Sequence, residues 1–379
     1  MRKPGIAFVA GARPNFMKIA PVLRAVDELQ PAFDPVIVHT GQHYSAELSN
    51  IFFEQLGIRA PDVHLEAGSG THGQQTAKVL EAFEGFLLEA SPRIAAVMVV
   101  GDVNSTLAAS LAAVKLQVPA IHLEAGLRSF DRSMPEEINR LATDAISDLL
   151  LVSEPAGEEN LRNEGVSASR VRYVGNVMID TLVDQLSKGE DRTNRITDGP
   201  FALVTLHRPS NVDRCASLTS IVNFLIQIAA DLAIAFPVHP RTRNRLREFA
   251  LLERLENHPA IHLFPPLGYV ENLGLMRNAT LVLTDSGGIQ EETSYLSIPC
   301  LTLRENTERP ATLSKGTNTL VGLDFIKARR LVFEILNHRY KKSSPIPGWD
   351  GRAAHRVVRE LSSFLENRDV ISPTSQIRR

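Results

Sequence analysis

Cysteine is scarce in this chain: Cys215 and Cys300 are the only two among 379 residues. They stand far apart, with no CxxC or Cys/His spacing, which excludes a disulfide framework and a zinc site of the usual kind. Both read as buried apolar residues of a reducing compartment. Charge of one sign is scarce as well. The chain has 41 Lys and Arg against 43 Asp and Glu, a formal net charge of −2. That balance gives no electrostatic reason to expect nucleic acid or an anionic membrane as a partner. Long apolar runs are missing too, and none approaches the length that spans a bilayer. Met1–Lys3 followed by Ile6–Ala10 has the look of a signal peptide, but the apolar run is too short and Arg13-Pro14 interrupts it. A cytoplasmic protein is expected. No GxGxxG follows a strand and no GxxxxGK[ST] occurs, so neither a nicotinamide site nor a P-loop is indicated. No cofactor and no metal are expected.

What is present is an alternation of strand and helix patterns. Strands are expected at Ile6–Ala10, Pro35–His39, Ala95–Val100, Ala120–Leu123, Leu149–Val152 and Arg172–Val174. Helical spacing falls at Phe16–Leu29, Ala46–Gln55, Gln74–Leu88, Ser105–Lys115 and Pro135–Ile146. This succession implies a mostly parallel sheet with helices on both faces. Lys188–Pro200 is polar and rich in turn formers. Phe201–Leu206 then restarts the pattern, with strands expected at Ala235–Val238, Ile261–Phe264, Leu281–Thr284 and Cys300–Leu303. At 379 residues, two domains are the default. The expected division is an α/β domain over 1–174, a similar α/β domain over 175–366 and a polar, frayed tail over 367–379. The amphipathic stretch Ala353–Phe364 is expected to pack back across the boundary.

In open parallel sheets, ligands bind beyond the carboxyl ends of the strands, and the polar clusters of this chain fall there. Leu281–Leu296 reads as a strand, the turn Asp285-Ser286-Gly287-Gly288 and a helix. Adjacent glycines admit a ligand to the backbone, and the helix N-terminus offers donors and a positive dipole end to phosphate. Taken alone, that stretch is read more simply as a tight turn capped by Ser286, with Glu291 and Glu292 complementing the helix dipole, and the rest of the chain reverses the balance. Arg13 and Lys18 place two cations at the first strand-to-helix turn, where Arg can grip phosphate bidentately. Asp102, Glu124 and Glu136 would approach one cleft from three elements, with Glu137 and Arg140 beside the last. Crowded carboxylates suit proton transfer. Taken singly, each acid is read more simply as a helix cap or a structural ion pair; their convergence favours catalysis. His207 with Arg208, and His239, end two strands of the second half and could donate to phosphate or move a proton. Arg304 and Arg309 add cations after a further strand. Together these features fit a nucleotide-sugar enzyme.

The ordered motifs GARPNFMKIAPV (11–22), HTGQHY (39–44), GDVNST (101–106), HLEAGLRS (122–129) and PEEINR (135–140) continue with GNVMIDT (175–181), TLHRPSN (205–211), TDSGGIQEET (284–293), RENTERP (304–310) and GTN (316–318). The chain thereby resembles the non-hydrolysing UDP-N-acetylglucosamine 2-epimerase family. That resemblance implies a GT-B fold, two Rossmann-like domains facing across a cleft, and inversion at C2 of a UDP-linked 2-acetamido sugar by elimination and re-addition of UDP. By matching position it implies that Asp102, Glu124 and Glu136 are the acid/base groups and His207 their partner at the phosphates. It gives the diphosphate to Arg13, Ser286, Gly287, Gly288 and Arg309, the ribose to Glu292, and further contacts to Lys18, Arg140 and His239. A homodimer is implied as well. Two departures stand out. Asn15 occupies a place where family members often carry Glu, and Tyr44 and Pro209-Ser210 replace the QHR and HRRE of members regulated by their own substrate. The HTGQHY and HRPSN forms resemble a branch that includes epimerases of UDP-diacetamido uronic acids. A hydrolysing relative, a GT-B glycosyltransferase and a nucleotide-sugar sensor are the other readings; the three acids and the 304–310 match favour epimerisation.

Overall fold

Thirteen strands, β1 to β13, form two separate parallel sheets in the computed structural model, which describes residues 3–41, 57–68, 70–91, 93–188 and 199–371. The first sheet holds β1 (Gly5–Ala10), β2 (Asp34–His39), β3 (Val63–His64), β4 (Ile94–Val100), β5 (Ala120–Ala125), β6 (Leu149–Val152) and β7 (Val171–Tyr173). Its order is β3-β2-β1-β4-β5-β6-β7. Covering helices bury both faces, which is why strands such as β4, IAAVMVV, are apolar throughout rather than alternating. The helix His72–Glu89 shows how the covering layer is set. Thr71 and Gln74 cap its start reciprocally, and Val79, Phe83 and Leu87 recur at helical spacing to face the sheet. Phe83 is fully buried among Ala7, Val97 and Ala109. Truncation to Ala there would cost about 3–5 kcal/mol.

The second sheet holds β8 (Phe201–Thr205), β9 (Ala233–Pro237), β10 (Ile261–Phe264), β11 (Leu281–Thr284), β12 (Cys300–Thr302) and β13 (Asn318–Leu320), in the order β10-β9-β8-β11-β12-β13. The helix Cys215–Ile228 buries Ile221, Phe224, Leu225 and Ile228 with Val204, Ile234, Phe236 and Leu283 of the strands. In both sheets the strand order reverses once, at β1/β4 and at β8/β11. Loops leaving two adjacent strands at such a point diverge to opposite faces and open a crevice for a ligand.

The chain divides into two compact units, Met1–Val183 with Pro347–Arg379, and Asp184–Ile346. The chain thus leaves the first unit later than residue 174 and returns to it at Pro347, well before residue 366. The cause is local. Asp180, in the helix Val177–Ser187, accepts the N–H groups of Ala353 at 3.2 Å and Ala354 at 2.7 Å, capping the last helix, Ala353–Ile371, from a distant part of the sequence. Burial pushes the Asp180 carboxyl up to about 6 despite those two donors. The last helix packs on the helix Arg13–Leu29 of the same unit and runs past residue 367, where fraying was expected. The expected helix 46–55 and most of the polar stretch 188–200 lie outside the described residues. The short strands β3 and β13 carry no apolar run that would have marked them.

Candidate active site

The reversal at β1/β4 gathers the acids of the first unit. Asn15 opens the arrangement: its Oδ1 accepts the N–H groups of Gly11 at 3.2 Å and Ala12 at 2.9 Å, and its Nδ2 donates to the Val100 carbonyl at 3.0 Å. One buried amide therefore ties the turn after β1 to the end of β4. Lys18, one turn further along the helix, forms an ion pair with Glu124 at the end of β5. Gly101 makes room for that pair. Its φ is +70°, and a Cβ would stand 3.1 Å from Lys18 Nζ and 3.5 Å from Glu124 Oε2. Glu124 itself has φ +74° and sits where the β5–β6 register skips a residue between Leu123 and Ala125. A left-handed backbone at a non-glycine residue costs roughly 1–3 kcal/mol and persists only where its surroundings over-determine it. The bulge turns a residue that strand alternation would hide into one that faces Lys18.

Asp102 follows Gly101 and pairs with Arg140. Its side chain is 33% exposed, against 3% for Arg140, so the acid is within reach of a ligand and the cation that fixes it is not. Arg140 is held in turn by Glu137 Oε2, at 2.9 Å from Nε and 2.8 Å from Nη2. Glu137 also accepts the Ser129 and Phe130 N–H groups and the Ser129 hydroxyl. Burial works to raise its carboxyl, but these donors and Arg140 hold it below the usual carboxylate range. Glu137 is thus the anchor of the pair, a role its place beside Glu136 did not reveal. Glu136 is half-buried in the first turn of the helix Pro135–Ile146. Among the described residues no bond joins it to Asp102 or Glu124. Arg13 begins the helix Arg13–Leu29, and its side chain lies outside the described residues.

In the second unit the β8/β11 reversal gathers His207, Asp285 and the Ser286–Gly288 turn. Asp285, fully buried, accepts the N–H groups of His207 (3.1 Å) and Arg208 (3.0 Å) and the Asn211 amide (3.1 Å), and faces His207 Nδ1 at 3.1 Å. Burial would raise this carboxyl, yet His207 and the other donors hold it low. His207 keeps 41% of its side chain exposed, which leaves its ring available. Its ring lies 5.6 Å from that of His239, centroid to centroid. His239 caps the helix Pro240–Glu248 by accepting the Arg241 N–H, and burial, then the neighbouring His207, lowers its pKa. The helix Gly287–Leu296 follows directly on Ser286. Ser286 makes no side-chain cap, so the capped-turn reading of that stretch fails and the helix's first amides remain for a ligand. A Cβ at Gly288 would meet nothing within 4 Å, whereas one at Gly287 would come within 2.6 Å of Glu308 Oε1, a carboxylate already paired with Arg304. Arg309 lies against Glu291, with Nε 2.8 Å from Oε1. Glu292 is buried beside Tyr269 and Glu291, and burial pushes its carboxyl up to about 7. Asp285 was legible as the residue before Ser286, but only the fold shows what it binds. Among the described residues no group of three or more His, Cys, Asp and Glu is arranged to hold a metal.

Two parallel α/β sheets, each with polar loops at its order reversal, one lined by paired acids and one by a glycine-rich helix start, define an α/β protein of GT-B type. The family described as UDP-N-acetylglucosamine 2-epimerase matches residues 26–362, and the chain belongs to that family. The UDP-N-acetylglucosamine 2-epimerase of Methanocaldococcus jannaschii is 42% identical over 366 residues, covering 94% of this chain and 98% of that protein. A Pseudomonas aeruginosa UDP-2,3-diacetamido-2,3-dideoxy-D-glucuronate 2-epimerase is 41% identical over 365 residues, 95% of this chain and 99% of the relative. The crystal structure of the M. jannaschii enzyme in complex with UDP-GlcNAc and UDP superposes with a TM-score of 0.86, at 41% identity, over 95% of this chain and 99% of that one.

Proposed function

We propose that this epimerase interconverts UDP-N-acetylglucosamine and UDP-N-acetylmannosamine by eliminating UDP and adding it back. One carboxylate takes the C2 proton; the C–H electron pair forms the C1=C2 double bond, and the C1–O pair leaves with UDP. Protonation of the 2-acetamidoglucal at C2 from the opposite face, with attack of the UDP oxygen at C1, completes the inversion. This chemistry asks for two proton-transfer groups and for stabilisation of the departing diphosphate. The observation that carries the reading is the pair of strand-end acids in the first unit, Asp102 and Glu124, each fixed by its own cation, Arg140 and Lys18. Glu136 joins them as a third candidate. The second unit would supply the diphosphate contacts through Ser286, Gly287, Gly288 and Arg309, with Arg13 from the first, and would bind ribose through Glu292. His207, oriented by Asp285, and His239 complete that set. The M. jannaschii relative, crystallised with UDP-GlcNAc and UDP, supports a UDP-sugar as the ligand.

The P. aeruginosa relative, at nearly the same identity, favours a second substrate, a UDP-2,3-diacetamido uronic acid, processed by the same chemistry. A cytoplasmic homodimer that supplies surface polysaccharide synthesis belongs to the same reading and draws its support from the family. No helix among the described residues is long and apolar enough to cross a membrane. Product analysis tests the proposal. Incubation with UDP-GlcNAc should bring UDP-ManNAc to a plateau without free sugar. Accumulating ManNAc and UDP would establish the hydrolysing alternative instead. Turnover of the diacetamido uronate alone would move the substrate to the second reading.

A further inference from the structure

The β5 strand carries a histidine that the reaction does not use directly. His122, two residues before Glu124, is 0% exposed. Its Nδ1 lies 2.6 Å from Asp144 Oδ1 and its Nε2 lies 2.8 Å from the carbonyl oxygen of Gly101. A carbonyl can only accept, so Nε2 carries a proton. Asp144 receives the Gly126 N–H at 3.0 Å and Arg128 Nη1 at 2.7 Å on its other oxygen. Burial of Asp144 works to raise its carboxyl, yet His122 and Arg128 hold it below the usual range. Arg128 is shared between Asp144 and Glu164. His122 thus stands between Asp144 and the Gly101 carbonyl, at one end of a row that runs on through Arg128 to Glu164.

This row holds both candidate acids in place. Gly101, the residue before Asp102, is attached to β5 twice, through its carbonyl to His122 and through its N–H to the Leu123 carbonyl at 3.1 Å. The stretch around Glu124 is pinned to one carboxylate at both ends, by the His122 ring on one side and the Gly126 N–H on the other. The left-handed Glu124 lies between those two pins. We propose that His122, clamped between Asp144 and the Gly101 carbonyl, is a positioning residue that fixes Asp102 and Glu124 relative to each other. The inference rests on the epimerase reading for what those acids do. It rests on geometry alone for how they are held.

Two measurements test it. In the wild-type protein, nitrogen-15 NMR of the His122 ring should show a proton on Nε2, the nitrogen that faces the Gly101 carbonyl. This arm needs no turnover, and an Nε2 that carries no proton would overturn the clamp. The second arm compares His122→Asn, whose amide can reach toward Asp144 but not Gly101, with His122→Gln, whose amide can reach the Gly101 carbonyl. His122→Asn should lower kcat by about 100-fold, the scale of a misplaced reacting group, with KM nearly unchanged. His122→Gln should recover part of that loss. Two variants that unfold at lower temperature yet turn over at the wild-type rate while folded would reduce His122 to a stability residue and sink the proposal. Absence of turnover by wild-type protein with either UDP-sugar would remove the epimerase reading and the catalytic half of this inference, and the NMR result would still decide the clamp.

Discussion

The Asn15 side-chain amide donates to the Val100 carbonyl at 3.0 Å, while its oxygen accepts two N–H groups from the turn after β1. This links the turn after β1 to the end of β4 at the point where the strand order reverses, three residues before Lys18 and two before Asp102. A carboxylate side chain at this position could accept but not donate, so it would leave the Val100 carbonyl without that donor.

Asn15→Asp should therefore destabilise the protein by about 1 kcal/mol, the usual net worth of one hydrogen bond, since the Thr106 hydroxyl still donates to the Val100 carbonyl at 2.9 Å. Urea unfolding of the two proteins measures this directly. An unchanged midpoint would mean that the Thr106 hydroxyl alone satisfies the Val100 carbonyl and that Asn15 is not the tie.

Gly288→Ala separates room for a ligand from room for the fold. The site is open, with no atom within 4 Å of an added Cβ, and Ala is the better helix former by roughly 1 kcal/mol. The variant should melt at or slightly above the wild-type temperature and bind UDP at least about tenfold more weakly, as a methyl group obstructs the phosphate at the helix start. Calorimetry showing unchanged UDP affinity would remove the Ser286–Gly288 turn from the diphosphate site.

Glu292 gives the protein a pH-dependent liability. Its carboxyl rises from an ordinary 4.5 to about 7 in the folded state. The folded protein then binds a proton that the unfolded chain releases. Stability attributable to this group is full below about pH 4.5, declines as pH rises, and reaches its minimum above about pH 7. Glu292→Gln cannot ionise, so its gain in melting temperature over wild type should be larger at about pH 8 than at about pH 4, by the equivalent of about 3 kcal/mol. An equal difference at both pH values would show that the carboxyl is not carried protonated into the fold.

The alternation that made two parallel sheets legible is a local pattern, and local signals were read well where they were strong. The strand Leu149–Val152 and the helix Pro135–Ile146, with Pro at its first position, lie where the spacing put them. Strands β3 and β13, two and three residues long, are made by edge pairing and leave no apolar trace. The positions of Asp102, Glu124 and Ser286–Gly288 were visible because strand ends and turn formers are local features. Their partners were not. That Lys18 meets Glu124, Arg140 meets Asp102 and Asp285 holds His207 follows from strand order, which brings residues 38 to 106 positions apart into contact. Likewise, the capping of the last helix by Asp180 crosses 173 residues, a contact that no local pattern announces.

The measurement that bears most directly on the account is proton NMR of the protein with UDP-GlcNAc in D₂O, run beside Asp102→Asn. The account predicts deuterium at C2 as UDP-ManNAc appears with the wild-type protein. It predicts no exchange with the variant, whose UDP affinity stays near wild type because the diphosphate contacts come from other residues. Epimerisation that retains the C2 proton, or an Asp102→Asn protein that still exchanges it, would contradict proton transfer by the strand-end acids.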